Sequence, residues 1–235
     1  MKIFETKESI AVFSDREDGD LSFFNLNEED FAKSWNNLTH NFSIKPSLPI
    51  YLNQVHKDNI VQVAPNKPVP SIKTNADALI THMPRTAIGV YTADCCPVLI
   101  SGKKVVSATH AGWKSTLQSI VYKTVLKYDK LYGIKPSDLT AWIGPCIGQC
   151  CFELGDEVYD MFVSENSQWD RFFIKKEKWH LDLRGLNRYQ LTQAGIPDNQ
   201  IIDHNECTYC MPEKYFSYRR MKKRNGSMFS FIFLK

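Results

Sequence analysis

The hydrophobic pattern of the chain changes character near residue 113. Before it, apolar residues come in short blocks bounded by polar or proline-bearing turns. The blocks are Ile10–Ser14, Ile50–Gln54, Asn59–Val63, Ala78–Thr81, Ala87–Thr92, Val98–Ser101 and Val105–Thr109. Blocks of this length read as strands, and several lack alternation, which predicts burial on both faces. After it, Leu117, Ile120, Val121, Thr124, Val125, Tyr128 and Leu131 recur at three- and four-residue spacing. That spacing predicts one helix from Ser115 to Tyr132, stopped by Gly133. Leu139–Ile143 reads as a further buried strand. Asp156–Ser164 predicts a second helix. Asp182 caps a third that runs to Ala194, with Gly195 as its stop. The end of the chain reads as a hairpin, Tyr215–Arg220 and Met228–Leu234 around Asn225-Gly226. Strands cluster, and strict strand–helix alternation is absent. The expected fold is therefore α+β, a layered sandwich with mixed sheets in a single domain, 1–235.

Bulk properties narrow the function mainly by exclusion. The chain has 235 residues, 43% hydrophobic and 23% charged, with a net charge of +3. That charge gives no reason to expect a nucleic-acid partner. The basic run Arg219-Arg220-Met221-Lys222-Lys223-Arg224 reads as a solvated hairpin tip from Lys222 onward, with Arg219 still inside a strand. Met1–Ser14 lacks the apolar core of a secretion signal, and no block approaches the ~18–20 apolar residues that span a bilayer. A cytoplasmic protein without membrane association is expected. Seven cysteines, including the adjacent pairs Cys95-Cys96 and Cys150-Cys151, do not read as a disulfide framework.

Three reactive side chains follow strand-like blocks: His56, Cys95 and His110. Two imidazoles and a thiolate suit zinc in a catalytic site with a fourth position open. Each residue alone also fits a structural role, and their spacing matches no local zinc pattern. Asp94, beside Cys95, could orient a ligand or carry a proton. Ser115 or Thr116 at a helix start after His110 suggests a place for an anion. Cys96 is expected to be buried by strand alternation. Cys207 and Cys210 form a Cys-x-x-Cys pair. Half a zinc ribbon would need a second such pair, and Cys146 and Cys150 have the wrong spacing, so a structural or incidental role is expected. Ile143–Gly148 is glycine-punctuated but lacks the Lys-Ser/Thr of a phosphate-binding loop, and reads as a pocket wall.

Seven motifs occur in one order: Asn53–His56, Ala76–Thr81, Thr92–Leu99, His110–Trp113, Ile143–Glu153, Cys207–Cys210 and Phe216–Arg220. Together they resemble the YfiH family, also called laccase-domain or multicopper polyphenol oxidase-like proteins, from about residue 10 to the C-terminus. The resemblance implies an α/β/β/α sandwich and a metal, usually described as zinc, held by His56, Cys95 and His110. It implies purine nucleoside phosphorolysis with adenosine deamination as a second activity, so the expected partners are a purine nucleoside and phosphate. In that scheme Cys95, His110, Asp94 and Arg219 carry the chemistry, while Arg16 and Ser115 contact substrate or anion. Older descriptions of the family imply a laccase, and a cell-wall link has been described. A laccase needs a histidine-rich copper set, whereas only two of six histidines here fall in suggestive positions. Copper would still compete for such ligands in vitro. A cysteine hydrolase with Cys95 as nucleophile and His110 as base is the third alternative. One segment departs from the family. Ser14-Asp15-Arg16-Glu17-Asp18-Gly19-Asp20 is more acidic than its usual N-terminal loop and has one glycine fewer, although Arg16 remains.

Overall fold

The computed structural model describes residues 1–21, 26–223 and 226–235. Two sheets stack face to face. One has four strands in the order Lys2–Glu5, Ser9–Phe13, Met228–Leu234, Ile88–Thr92, all antiparallel. The other has six, in the order Ile201–Asp203, Thr140–Ile143, Cys96–Gly102, Val105–Ala111, Ala78–Thr81, Ile60–Val63. Both of its edge strands pair in parallel and its interior pairs are antiparallel, so this sheet is mixed.

The unbroken apolar blocks are explained by layering. Ala11, Phe13, Val90 and Ile232 meet Leu79, Leu99, Val106 and Trp142 in a core between the sheets. On the outer face of the four-stranded sheet, Phe229, Phe231 and Phe233 pack against Trp35 and Leu38 of the helix Glu28–Thr39. On the outer face of the six-stranded sheet, Ile80, Val98 and Ile100 pack with Val121, Val125, Tyr128, Leu186 and Leu191. The latter five lie on the helices Ile120–Tyr132 and Leu183–Gln193. The layers are thus α/β/β/α, as expected. A small third sheet joins Phe173–Lys175, Trp179–Leu181 and Glu153–Leu154.

Several expectations need correction. Ile50–Gln54 is not a strand. Ile50 and Asn53 make only isolated bridges to Ile88 and Asn75. The single helix expected over 115–132 is two, Trp113–Leu117 and Ile120–Tyr132, because Ser119 adopts a left-handed φ of 59°. The break is stabilised from outside: the carbonyl of Thr116 accepts from the side chain of Gln190, 2.8 Å, on a neighbouring helix. Tyr215–Arg220 is not a strand either. It leads into a short helix, Tyr218–Met221, and Met228–Leu234 instead pairs between Ser9–Phe13 and Ile88–Thr92. The expected turn residue Asn225 and the basic Arg224 lie outside the described residues. The helix Asp156–Glu165, and the helix Leu183–Gln193 capped by Asp182, fall where expected. The helix Glu28–Thr39 was not anticipated. No described helix is long and apolar enough to cross a membrane.

One buried group makes the fold acid-sensitive. His204 stands edge-on to Phe4 and Phe13, its side chain 2% exposed, with Nδ1 3.9 Å from Glu206 Oε2. Burial first, and then the Lys2 ammonium, hold its pKa down to about 4. The unfolded chain takes up this proton near pH 6.5 and the folded one only near 4, so stability falls as pH drops through that window. The expected loss is roughly 2–3 kcal/mol. Between pH 7 and 4.5 the unfolding free energy from urea titration should fall by about that much more in wild type than in His204→Leu.

Candidate metal centre and pocket

Strand register assembles the site. Cys96–Gly102 and Val105–Ala111 are antiparallel neighbours, with Pro97 opposite His110 and Cys96 opposite Ala111. Cys95, one residue before its strand, therefore emerges beside His110, the penultimate residue of the adjacent one. On the other side of that strand Ala78 lies opposite Thr109, which brings Asp77 to His110. The expectation that His110 follows its strand is corrected slightly, since the strand extends to Ala111.

His56 arrives on a loop held by side chains rather than by a ladder. The Gln54 amide accepts from Tyr91 N–H at 2.7 Å and donates to Tyr91 C=O at 2.8 Å, imitating a strand partner. His56 itself has a left-handed φ of 57°. For a residue with a Cβ this conformation carries strain that the surroundings must offset. Asp77 supplies the offset: its carboxylate accepts from the backbone N–H groups of Val55, His56 and Lys57 at 3.2, 2.9 and 2.8 Å.

The same carboxylate accepts from Nδ1 of His110 at 2.8 Å, with both side chains almost fully buried. With Nδ1–H donating to Asp77, the lone pair of His110 Nε2 is left free to bind an ion, the arrangement in which metal-binding histidines are usually held. His56 Nε2 lies 3.8 Å from Cys95 Sγ, and the two imidazoles meet edge-to-face at 4.8 Å. One ligand atom from each of His56, Cys95 and His110 lies within 4.8 Å of the others. Tetrahedral zinc with ordinary Zn–N and Zn–S bonds would set N and S about 3.6 Å apart, so the donors fit such an ion.

Electrostatics favour the thiolate of Cys95. Burial alone would push the Cys95 thiol up, but the charge and hydrogen bond of His110, then those of His56, bring it down to about 6. Burial would push His110 down, but the Cys95 thiolate and Asp77 raise it to about 9. Without a cation this is a thiolate–imidazolium pair. Gly112 completes the cradle. A Cβ there would stand 2.8 Å from His56 Cδ2 and 3.0 Å from Cys95 Sγ. Gly112→Ala should push the donors apart, and since displacements near 1 Å can cost about a hundredfold in rate, activity and metal retention should fall together. Metal content and kcat/KM of the purified variant check this.

The three residues open into a cavity of about 540 Å³. Tyr91, Trp113, Phe152 and Tyr218 give it aromatic walls, and Arg219 gives it a permanent cation. Arg219 comes from the short helix, and its guanidinium donates to the carbonyls of Glu153 at 2.8 Å and Cys151 at 3.5 Å. Asp94 also lines the cavity. Its carboxylate accepts from Thr208 Oγ1 at 2.6 Å, Ser217 Oγ at 3.0 Å and the Arg219 N–H at 2.7 Å. Both oxygens are engaged, so Asp94 anchors three chain segments to one another.

Two expected contacts lie elsewhere. Ser115 is fully buried, and its hydroxyl donates to the carbonyls of His110 and Gly112, so it neither caps a helix nor faces the cavity. Gly112 is the cap, and the helix that follows is only five residues long, which removes the expected anion site there. Arg16 is exposed, donates to the Pro212 carbonyl and stacks over Phe216, outside the cavity. Asp77 is the functional residue that the sequence did not single out, although it lies within a motif that did.

The family model described as multi-copper polyphenol oxidoreductase laccase matches residues 21–235. A purine nucleoside phosphorylase of Clostridium acetobutylicum is 38% identical, over 99% of this chain and 94% of that protein. A protein named adenosine deaminase RL5, from an unknown prokaryote, is 35% identical over 68% of this chain and 62% of its own length. The crystal structure of a Bacillus licheniformis hypothetical protein called YfiH superposes with a TM-score of 0.86 at 29% identity, covering 97% of this chain and 93% of that one. The chain belongs to the multi-copper polyphenol oxidoreductase laccase family, the group that includes YfiH.

Proposed function

We propose that the chain is a zinc-dependent enzyme of purine nucleosides, catalysing phosphorolysis of adenosine- and inosine-type substrates with adenosine deamination as a second activity. The observation that carries this reading is a three-donor His56–Cys95–His110 group opening into an aromatic cavity with one permanent cation. A flat heterocycle fits between aromatic walls, where ring stacking contributes about 0.5–1.5 kcal/mol beyond area burial. The names of the relatives point to the same substrates.

His56, Cys95 and His110 would hold a zinc ion, which would supply a Lewis acid able to lower the pKa of a nearby water to about 7. The protein's own groups do the rest. Asp77 holds His110 Nδ1–H, so that Nε2 faces the cavity. Tyr91, Trp113 and Phe152 exclude water from the purine. Arg219 offers its guanidinium to phosphate, clamped by its own contacts to the Cys151 and Glu153 carbonyls. In phosphorolysis a phosphate oxygen bonds to C1′ as the C1′–N9 bond breaks and its electron pair leaves with the purine. In deamination water adds at C6 and ammonia departs. Asp94 is assigned here as a positioning residue, since its oxygens hold Arg219 and Ser217.

A second reading has one observation in its favour. The depressed Cys95 beside the raised His110 is also the pairing of a cysteine nucleophile with its base. One experiment separates the two: adenosine and inosine are assayed with and without phosphate, on protein of measured metal content and on Cys95→Ser. Phosphate-dependent release of base, with zinc that Cys95→Ser removes, supports the proposal. Metal-free protein that turns over nucleosides at the full rate would overturn it.

A further inference from the structure

The cysteines outside the cavity form a second group. Cys150 and Cys151 follow the Ile143–Gly148 loop, and Cys207 and Cys210 form the Cys-x-x-Cys pair. Their sulfurs all lie within 4.8 Å of one another. The separations include 3.8 Å for Cys150–Cys207, 3.7 Å for Cys150–Cys210, 3.4 Å for Cys150–Cys151 and 3.3 Å for Cys151–Cys210. With Zn–S bonds of 2.3 Å, a tetrahedron of four thiolates has edges of about 3.8 Å. These four separations are at or slightly below the edge of such a tetrahedron, and the two others, Cys151–Cys207 and Cys207–Cys210, are within 4.8 Å.

The backbone is arranged for thiolates as well. Cys207 Sγ accepts from Gly148 N–H at 3.2 Å and from the N–H groups of Tyr209 and Cys210. Three N–H donors on one sulfur stabilise its anionic form, the form that binds metal. The two segments are zipped together beneath the cluster, with Cys146 bridging Cys207 and Thr208 N–H donating to the Cys146 carbonyl at 3.1 Å. Gly148 is packed against the sulfurs: a Cβ there would lie 3.2 Å from Cys150 Sγ and 3.3 Å from Cys207 Sγ. Arg219 and Arg220 donate to carbonyls on both cysteine-bearing segments, at Cys151, Glu153, Thr208 and Tyr209, and bring positive charge to loops that would carry four thiolates.

We propose that Cys150, Cys151, Cys207 and Cys210 bind a structural zinc ion, separate from the site at His56, Cys95 and His110. The ligand set is closed, with no position for water or substrate, so its role is to pin together two loops, one of which carries Ile147 and Phe152 of the cavity wall and receives the Arg219 guanidinium. The proposal does not depend on the nucleoside reading, because its readout is metal and not activity.

The test uses the whole protein purified under reducing conditions. Wild type should carry about two zinc equivalents per chain. Cys207→Ser/Cys210→Ser should carry about one. His56→Ala/His110→Ala should also keep about one, with X-ray absorption showing sulfur neighbours only and cobalt substitution giving the thiolate charge-transfer bands of a tetrahedral all-sulfur site. The double-histidine variant leaves the cluster untouched and remains informative if the cysteine variant fails to fold. A double-histidine protein without metal, or with nitrogen neighbours, would overturn the proposal. So would a cysteine variant that still holds two equivalents, or intact-mass evidence that the four cysteines of the reduced preparation have paired as disulfides.

Discussion

Replacing His110 with alanine is expected to strip the cavity of its metal and lower kcat/KM for nucleosides by about a thousandfold or more, the scale seen when a group that acts as one unit with its neighbours is removed. The reason is the number of interactions that converge on one ring. His110 is 3% exposed, is bound through Nδ1 to Asp77, lies against His56, and keeps the Cys95 thiol depressed. Its loss leaves two donors for an ion that needs three protein ligands, and it leaves the Asp77 carboxylate facing an empty space. Both losses fall in one place, so metal content and turnover should drop together. Elemental analysis and steady-state phosphorolysis on the same preparation check this, and a metal-free variant with undiminished activity would sink the proposed role.

Asp77→Ala is expected to have the largest effect on folding. Removal of this carboxylate orphans the part-buried N–H groups of Val55, His56 and Lys57 together with the buried Nδ1–H of His110. At about 1 kcal/mol or more for each unsatisfied group, the loss should reach about 3–5 kcal/mol, measurable by urea unfolding of the metal-free protein. The strained backbone at His56 would also lose what holds it. Asp77→Asn separates the two jobs of the residue. It keeps the volume and one acceptor but gives up the charge, so metal affinity should fall by about ten- to a hundredfold with a smaller loss of stability. Equal zinc affinity in wild type and Asp77→Asn would show that His110 is oriented by something else.

The parts of the molecule that the sequence made legible share one property: their signal is local. Blocks such as Val98–Ser101 and Val105–Thr109 read as buried strands because they are sandwiched on both faces, and the structure only lengthens them. His56, Cys95 and His110 were visible because each follows such a block. The helix Glu28–Thr39 was not, because Phe31, Trp35 and Leu38 are nearly its whole apolar face and polar residues fill the rest. Tyr215–Arg220 reads as a strand because it precedes the Asn225-Gly226 turn signal. Tertiary contacts decide otherwise, with Asp94 drawing in Ser217 and the Arg219 N–H from more than a hundred residues away. Asp77 escaped notice because a single carboxylate at the head of an apolar block resembles a turn residue. The cysteine cluster was hidden for a related reason: no zinc ribbon spacing joins Cys150 to Cys207, and tertiary contacts such as the Cys146–Cys207 bridge bring them together.

The strand Met228–Leu234 occupies an interior place in its sheet, between Ser9–Phe13 and Ile88–Thr92. Both of its neighbours come from the first hundred residues, so the four-stranded layer cannot close until almost the whole sequence is available. Pairing over such separations carries a large loop-closure cost before any contact repays it, which makes this layer a slow, late-forming one. Until then Ile88–Thr92 lacks its ladder partner, and the cavity wall that Tyr91 and Thr92 contribute is incomplete. Chain order thus separates the two layers: the six-stranded one pairs segments within residues 60–203, while the four-stranded one waits for Met228–Leu234.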